Sequence, residues 1–203
     1  GLVMRIGLDF DNTIVCYDEA FYQLAHEAKS IPENLQRTKE QVKAHLQKQG
    51  RNDFWTELQG LAYGPRMETA SVFPKFEAFL KAMHRPGVEL FIVSHRSPKP
   101  YSGLDYDLHE AARTWLRGRP WIQSEMIPLK NIFFEATKQG KIKKIAELNL
   151  DYFVDDLLDI FTDPMFPLNT KKIHFLPGKS EQEPTELLSA KSWDDVTRVF
   201  QNL

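Results

Sequence analysis

The chain has 203 residues, 42% of them hydrophobic and 27% charged, which fits one globular domain with room for an insertion and excludes a disordered tail or a collagen-like repeat. A chain this long buries roughly 70% of the surface its unfolded form exposes, so no disulfide or metal staple is needed. With 26 Lys and Arg against 28 Asp and Glu, a net charge of −2 and a pI near 6.3, we expect no nucleic-acid partner.

No apolar run reaches membrane-spanning length. The lone cysteine, Cys16, can form no internal bridge, which suits a reducing compartment, and nothing basic beside it points to a reactive thiol. The start Leu2-Val3-Met4 runs into Arg5 and Asp9, so we expect no signal peptide and a cytoplasmic protein. Gly1, Leu2 and Val3 read as residues ahead of a native Met4.

In chain order, Val3–Leu8 is a short apolar run ending in Asp9-Phe10-Asp11-Asn12-Thr13, the pattern of a strand buried on both faces. From Tyr17 to Val72 there is no strand signal. Three helical patterns fill that stretch, marked by Phe21, Leu24, Ala25 and Ala28, then by Val42 and Leu46, then by Phe54, Leu58 and Leu61. Pro32, Gly50 and Gly64-Pro65 punctuate them. The basic positions Arg37, Lys39, Lys43, Lys48 and Arg51 read as a solvated helix face.

Beyond the insertion, Phe76, Phe79, Leu80 and Met83 keep helical spacing before Gly87. A strand follows over Val88–Val93, then the irregular loop Ser97–Gly103. The Asp107/Glu110 pair opens a helix reaching Arg117. Strands over 131–134, 152–154 and 172–176, with a helix over 141–149, complete the series. Strands alternating with helices predict a doubly wound parallel, Rossmann-like α/β sheet of about five strands. The expected division is a core of 1–16 and 73–203 with a small all-helical cap over 17–72.

In such sheets ligands bind beyond the carboxyl ends of the strands. Those ends carry Asp9 and Asp11, then Ser94, His95 and Arg96, then Asp155 and Asp156, with Asp159 one helical turn on. Carboxylates converging on one small volume call for a cation, and hard oxygen ligands favour Mg²⁺. On extended chain Asp9 and Asp11 point the same way, so one can be a nucleophile and the other an acid/base. A phosphoryl group also needs donors and positive charge. Ser94 offers a hydroxyl. From Lys141 the chain descends about eight helical residues, roughly 12 Å, and returns up Asp151–Asp155, roughly 16 Å, which brings Lys141 to the level of Asp155. Lys143 and Lys144 sit deeper, and Lys138 stays open as an alternative.

Asp9-Phe10-Asp11-Asn12-Thr13, Ser94 at the end of its strand, Lys141 and Val154-Asp155-Asp156 resemble, in order, the four motifs of the haloacid dehalogenase (HAD) superfamily, with the insertion where that family carries a helical cap. The resemblance covers residues 1–15 and about 73–178. It implies that Asp9 is a nucleophile forming an aspartyl-phosphate. Asp11 then protonates the leaving oxygen and later activates water, its backbone carbonyl serving the metal. Ser94 and Lys141 hold the phosphoryl group. Mg²⁺ is held by Asp9, Asp11 and Asp155, with Asp156 or Asp159 in support beside Thr13. Members that dehalogenate or cleave C–P bonds lack an aspartate at the position of Asp11, so the chain looks like a phosphatase. Val154 replaces the glycine more usual before Asp155.

The resulting expectation is a Mg²⁺-dependent phosphomonoesterase acting on a small phosphorylated metabolite, such as a sugar phosphate or nucleotide. Two competing readings are a catalytically idle HAD-fold binding or regulatory domain and a response-regulator receiver. The first lacks support because no catalytic position is missing, and the second has its acids in another order. Candidate substrate-binding residues are Asn12, His95, Arg96, Arg51, Trp55 and Arg66. For Trp55 the competing reading is cap core, and for Arg96 a surface turn.

Overall fold

In the computed structural model, which describes residues 2–101, 105–178, 187–201 and 203, the apolar start is strand β1 (Met4–Leu8). Next come β2 (Val15–Cys16), helices α1 (Asp18–Glu27), α2 (Lys39–Lys48) and α3 (Asn52–Tyr63), β3 (Ser71–Val72), α4 (Phe76–Met83) and β4 (Val88–His95). The chain continues through α5 (Leu108–Arg117), α6 (Pro120–Gln123), β5 (Ile132–Glu135), α7 (Lys138–Glu147) and β6 (Tyr152–Asp155). It closes with α8 (Leu158–Thr162), β7 (Lys171–Phe175), β8 (Leu188–Ala190) and α9 (Trp193–Gln201). Gly1, taken above as preceding a native start, and residues 102–104, which include the end of the irregular loop, lie outside the described residues.

Six strands form one sheet in the order β5-β4-β1-β6-β7-β8, every pairing parallel. After β1 the chain lays down β4 and β5 on one side, then returns to place β6 on the other. Strand order therefore reverses between β1 and β6, and their carboxyl ends frame the crevice where such sheets bind ligands. The sixth strand, β8, was not expected. It has three residues, Leu188-Ser189-Ala190, too few for a periodicity to register.

Helices cover the sheet on both faces. On one side Phe91, Val93, Ile145, Leu150, Phe153, Ile160 and Phe161 form a continuous core. Elsewhere Trp193 of α9 packs edge-on against Phe76 of α4, with ring centroids 4.8 Å apart. Gly7 makes the middle of β1 thin enough for Leu150 and Phe153 of the first of these clusters. A Cβ there would collide with Leu150 Cδ1 and lie 2.7 Å from Phe153 Cδ1.

The chain divides into two compact units. One holds the sheet and comprises residues 1–14, 72–95 and 119–203; the other comprises 15–71 and 96–118. The expected core and cap differ from this chiefly in residues 96–118, which group with the helices. The cause lies within that unit. Arg96, 6% exposed, donates to the carbonyls of Tyr63 and Leu108 at 2.9 and 2.8 Å and to the Tyr17 hydroxyl at 2.8 Å. Trp115 of α5 donates from Nε1 to the Ala70 carbonyl at 3.4 Å. Helix α5 opens as expected, with the Asp107 side chain accepting from Glu110 N–H at 2.9 Å. Its periodicity marks an apolar stripe and is silent on which neighbour the stripe covers.

Candidate active site

The site lies in the sheet-bearing unit and begins where β1 ends. Asp9 N–H donates to the Val154 carbonyl at 2.9 Å, so pairing with β6 runs one residue past the strand. The chain then turns through Asn12 at φ 65°, a left-handed conformation that asparagine tolerates better than most residues. Thr13 and Ile14 return hydrogen bonds to the Phe10 carbonyl at 3.3 and 3.0 Å. This turn swings the buried Thr13 hydroxyl over Asp9, donating to Oδ2 at 2.9 Å, with Asp156 Oδ1 at 3.2 Å. From α9, Trp193 Nε1 donates to the Thr13 carbonyl at 2.9 Å and fixes the turn from behind.

The second acidic segment ends β6. Asp155 is fully buried; its Oδ1 accepts from Leu157 N–H at 2.9 Å and its Oδ2 from Lys141 Nζ at 2.7 Å. Lys141 also donates to Asp9 Oδ1 at 2.8 Å and has no exposed surface. It stands on the first turn of α7, whose cap Thr137 accepts from Gly140 N–H at 3.0 Å. One carboxylate oxygen from each of Asp9, Asp155 and Asp156 lies within 4.8 Å of the others.

Three acids and one lysine in a dry volume divide the charge unequally. For Asp9, burial acts to raise the pKa, but the Lys141 charge and hydrogen bonds from Asp156, Lys141 and Thr13 outweigh it and hold the carboxyl below its usual range. Burial and the Asp9 charge push Asp155 up to about 7 despite Lys141. Burial, Asp9 and Asp155 push Asp156 well above the usual carboxylate range. Lys141 resists the effect of burial because Asp155 and Asp9 hold it charged. The nucleophile candidate is thus biased towards its anionic form, while its two neighbours are biased towards holding protons. An oxygen-only donor set with this excess of acids fits a hard cation such as Mg²⁺.

Ser94 is the penultimate residue of β4, 1% exposed, and its hydroxyl has no hydrogen-bond partner among the described residues. A buried polar group left without a partner costs about 1–3 kcal/mol, so this hydroxyl has capacity for one further hydrogen bond. His95 beside it is half-buried, its Nδ1 also buried without a partner. Burial and the Lys141 charge lower its pKa. Asp11 is half-buried, within electrostatic range of His95, and its carboxylate lies outside the three-acid cluster.

Several candidates are placed elsewhere. Of the two residues left open as metal support, Asp156 joins the cluster. Asp159 is 66% exposed and pairs with Lys138 at 3.1 Å. Lys138 also pairs with Asp163 at 3.3 Å, Lys144 pairs with Glu147 at 3.2 Å, and Lys143 is exposed. In the helical unit, Trp55 stacks on Phe21 with centroids 4.6 Å apart and is 4% exposed, a core residue. Arg66 is held by Glu27 at 3.0 Å and Glu68 at 2.9 Å. Arg96 spends its donors on carbonyls and Tyr17, as described. Arg51 is exposed, with its guanidinium 4.5 Å from the centre of the Phe54 ring. Burial, with Asp18 and Glu19 nearby, pushes the Cys16 thiol up to about 11, so it is protonated at neutral pH.

Two residues that support the acids escaped the sequence reading, Trp193 and His174. His174 Nε2 lies 2.9 Å from the Asp156 carbonyl. Its only signal was a histidine inside the apolar run 172–176.

A six-stranded parallel sheet in the order β5-β4-β1-β6-β7-β8 is a fold this chain shares with solved HAD-superfamily hydrolases. The chain is similar to a HAD-superfamily hydrolase from Ehrlichia chaffeensis (TM-score 0.59, 12% identity, 98% of this chain and 97% of that one). It is similar to a predicted phosphoglycolate phosphatase from Haemophilus somnus (TM-score 0.55, 13% identity, 98% of each chain). It also resembles a HAD-hydrolase from Bacillus subtilis whose structure is bound to magnesium (TM-score 0.56, 9% identity, 99% of this chain and all of that one). No protein-family model and no curated protein matches the sequence. At these identities the likeness is one of fold.

Proposed function

We propose that the protein is a Mg²⁺-dependent hydrolase of small phosphate monoesters. The observation that carries this is the Asp9 carboxylate, bound by Lys141 at 2.8 Å and by Thr13 at 2.9 Å, with oxygens of Asp155 and Asp156 within 4.8 Å. An Asp9 carboxylate oxygen attacks phosphorus, the bond from phosphorus to the ester oxygen breaks, and Asp11 gives that oxygen its proton. Water then attacks the phosphorus of the aspartyl-phosphate, Asp11 takes the water's proton, and Asp9 and inorganic phosphate are released. Lys141 and the Ser94 hydroxyl bind the phosphoryl oxygens, where charge accumulates. Mg²⁺, held by Asp9, Asp155 and Asp156 with the Asp11 backbone carbonyl, would supply charge neutralisation at the same oxygens.

His95, with its unpartnered Nδ1, and Asn12 are the residues of this unit best suited to the leaving group. A lone cysteine can form no internal disulfide, which suits a reducing compartment, and we propose a cytoplasmic location. Among the described residues no helix is long and apolar enough to cross a membrane.

A screen of phosphorylated metabolites with Mg²⁺, reading released phosphate, tests the reaction class. Asp9→Asn should reduce release to background while the protein stays folded. Turnover close to the unaltered protein's would overturn the aspartyl-phosphate route.

A further inference from the structure

We propose that His174 is the positioning residue that sets how tightly the acidic cluster holds a divalent cation, an inference that rests on the metal-dependent reading above. His174 lies on β7, in register with Asp155 on β6. It is 4% exposed, and its Nε2 stands 2.9 Å from the Asp156 carbonyl oxygen. A carbonyl only accepts, so Nε2 carries the hydrogen and donates it. The ring stands edge-on to Phe161, centroids 6.2 Å apart, and Phe161 is itself 1% exposed. Close packing of this kind leaves the imidazole little room to swing.

The carbonyl that His174 holds belongs to the turn that makes the site. Within three residues this turn supplies two of the three clustered carboxylates and the Leu157 N–H that orients Asp155. Asp9, Asp155 and Asp156 each place a carboxylate oxygen within 4.8 Å of the others, and carboxylates this close repel one another when ionised. A free turn relieves that repulsion by rotating the Asp156 peptide and carrying its carboxylate away. Mg²⁺ demands near-octahedral oxygens at about 2.0–2.1 Å and tolerates little displacement. A donor anchored on the neighbouring strand keeps the turn in its binding shape before the cation arrives.

The test is a calorimetric titration of the metal-stripped full chain with Mg²⁺ alone, with circular dichroism on each variant. His174→Phe keeps the aromatic packing and removes the donor; His174→Gln keeps a side-chain N–H. We expect Mg²⁺ to bind His174→Phe about 10–100-fold more weakly, the usual effect of losing a group that orients a metal ligand. His174→Gln should stay within a few-fold of the unaltered protein. Equal binding by folded His174→Phe overturns the proposal, and equal losses in both variants do so too, because a retained side-chain N–H would then restore nothing. If His174→Phe does not fold, His174→Leu carries the same comparison. Failure of both apolar variants to fold would make the position a folding determinant, and the proposal falls. An unaltered protein that binds no Mg²⁺ overturns the metal-dependent reading itself, a distinguishable result.

Discussion

Lys141 and Asp155 stand 14 residues apart in sequence and 2.7 Å apart in space, Nζ to Oδ2, with no exposed surface on either side chain. The same ammonium reaches Asp9 at 2.8 Å, so one cation joins the ends of the two strands between which the sheet order reverses. Removing one partner of a buried pair strands the other charge and costs about 3–5 kcal/mol. Lys141→Met should lower stability by that much in urea denaturation with EDTA present. Mg²⁺ should recover part of the loss by replacing the missing positive charge. A denaturation midpoint unchanged in EDTA would show that the pair adds no stability.

Cation binding should weaken on acidification across neutral pH. An ordinary carboxylate is fully ionised at pH 6, but burial and the neighbouring Asp9 charge raise Asp155 to about 7, and Asp156 is raised too. As pH falls through 7 the proton-bound fraction grows, and Mg²⁺ must displace those protons. If one proton is displaced, affinity should drop about tenfold per pH unit below 7. Calorimetric Mg²⁺ titrations at pH 5.5, 6.5 and 7.5 check this; equal affinities would mean that the acids ionise normally.

The sign for folding without metal is opposite. A carboxyl whose pKa is raised on folding binds more protons folded than unfolded. Asp155 therefore contributes stability below pH 4 that is lost as pH rises towards 7. Asp9, with its lowered pKa, contributes in the reverse sense and in a lower window. In EDTA, thermal denaturation should show the stability contribution of this cluster declining between pH 5 and 7, and Asp155→Asn should flatten the decline.

Arg96→Met should destabilise the helical unit rather than act as a change of ligand contact. The substitution leaves the Tyr63 and Leu108 carbonyls and the Tyr17 hydroxyl without the guanidinium that joins them. Charged hydrogen bonds are worth about 1.5–3 kcal/mol each, not additively. We expect a loss of about 3 kcal/mol by chemical denaturation, and Arg96→Lys, which lacks the planar fork, should recover less than half.

Gly7→Val should be poorly tolerated despite the strand-forming tendency of valine. Its Cβ meets Leu150 and Phe153, and overpacking of this kind costs about 1–3 kcal/mol. A thermal midpoint equal to or above that of the unaltered protein would show that the core yields there.

The fold class was legible because strands buried on both faces leave continuous apolar runs, and because each run ends in polar residues where the chain leaves the sheet. Asp9, Ser94 and Asp155 could be placed at strand ends for that reason. Matching the rise of a helix with that of a strand aligned Lys141 with Asp155. Grouping was not legible: α5 shows its apolar stripe but not the neighbour it covers, and Arg96 looks the same at a rim as inside a helical unit. Nor was the choice between Asp156 and Asp159, which turns on the path of three residues after β6. His174 and Trp193 reach the site through strand register and helix packing, across 18 residues to Asp156 and 180 to Thr13. Periodicity records which way a side chain faces within its own element. Which atoms it meets is decided when separate elements pack and fix each other's register.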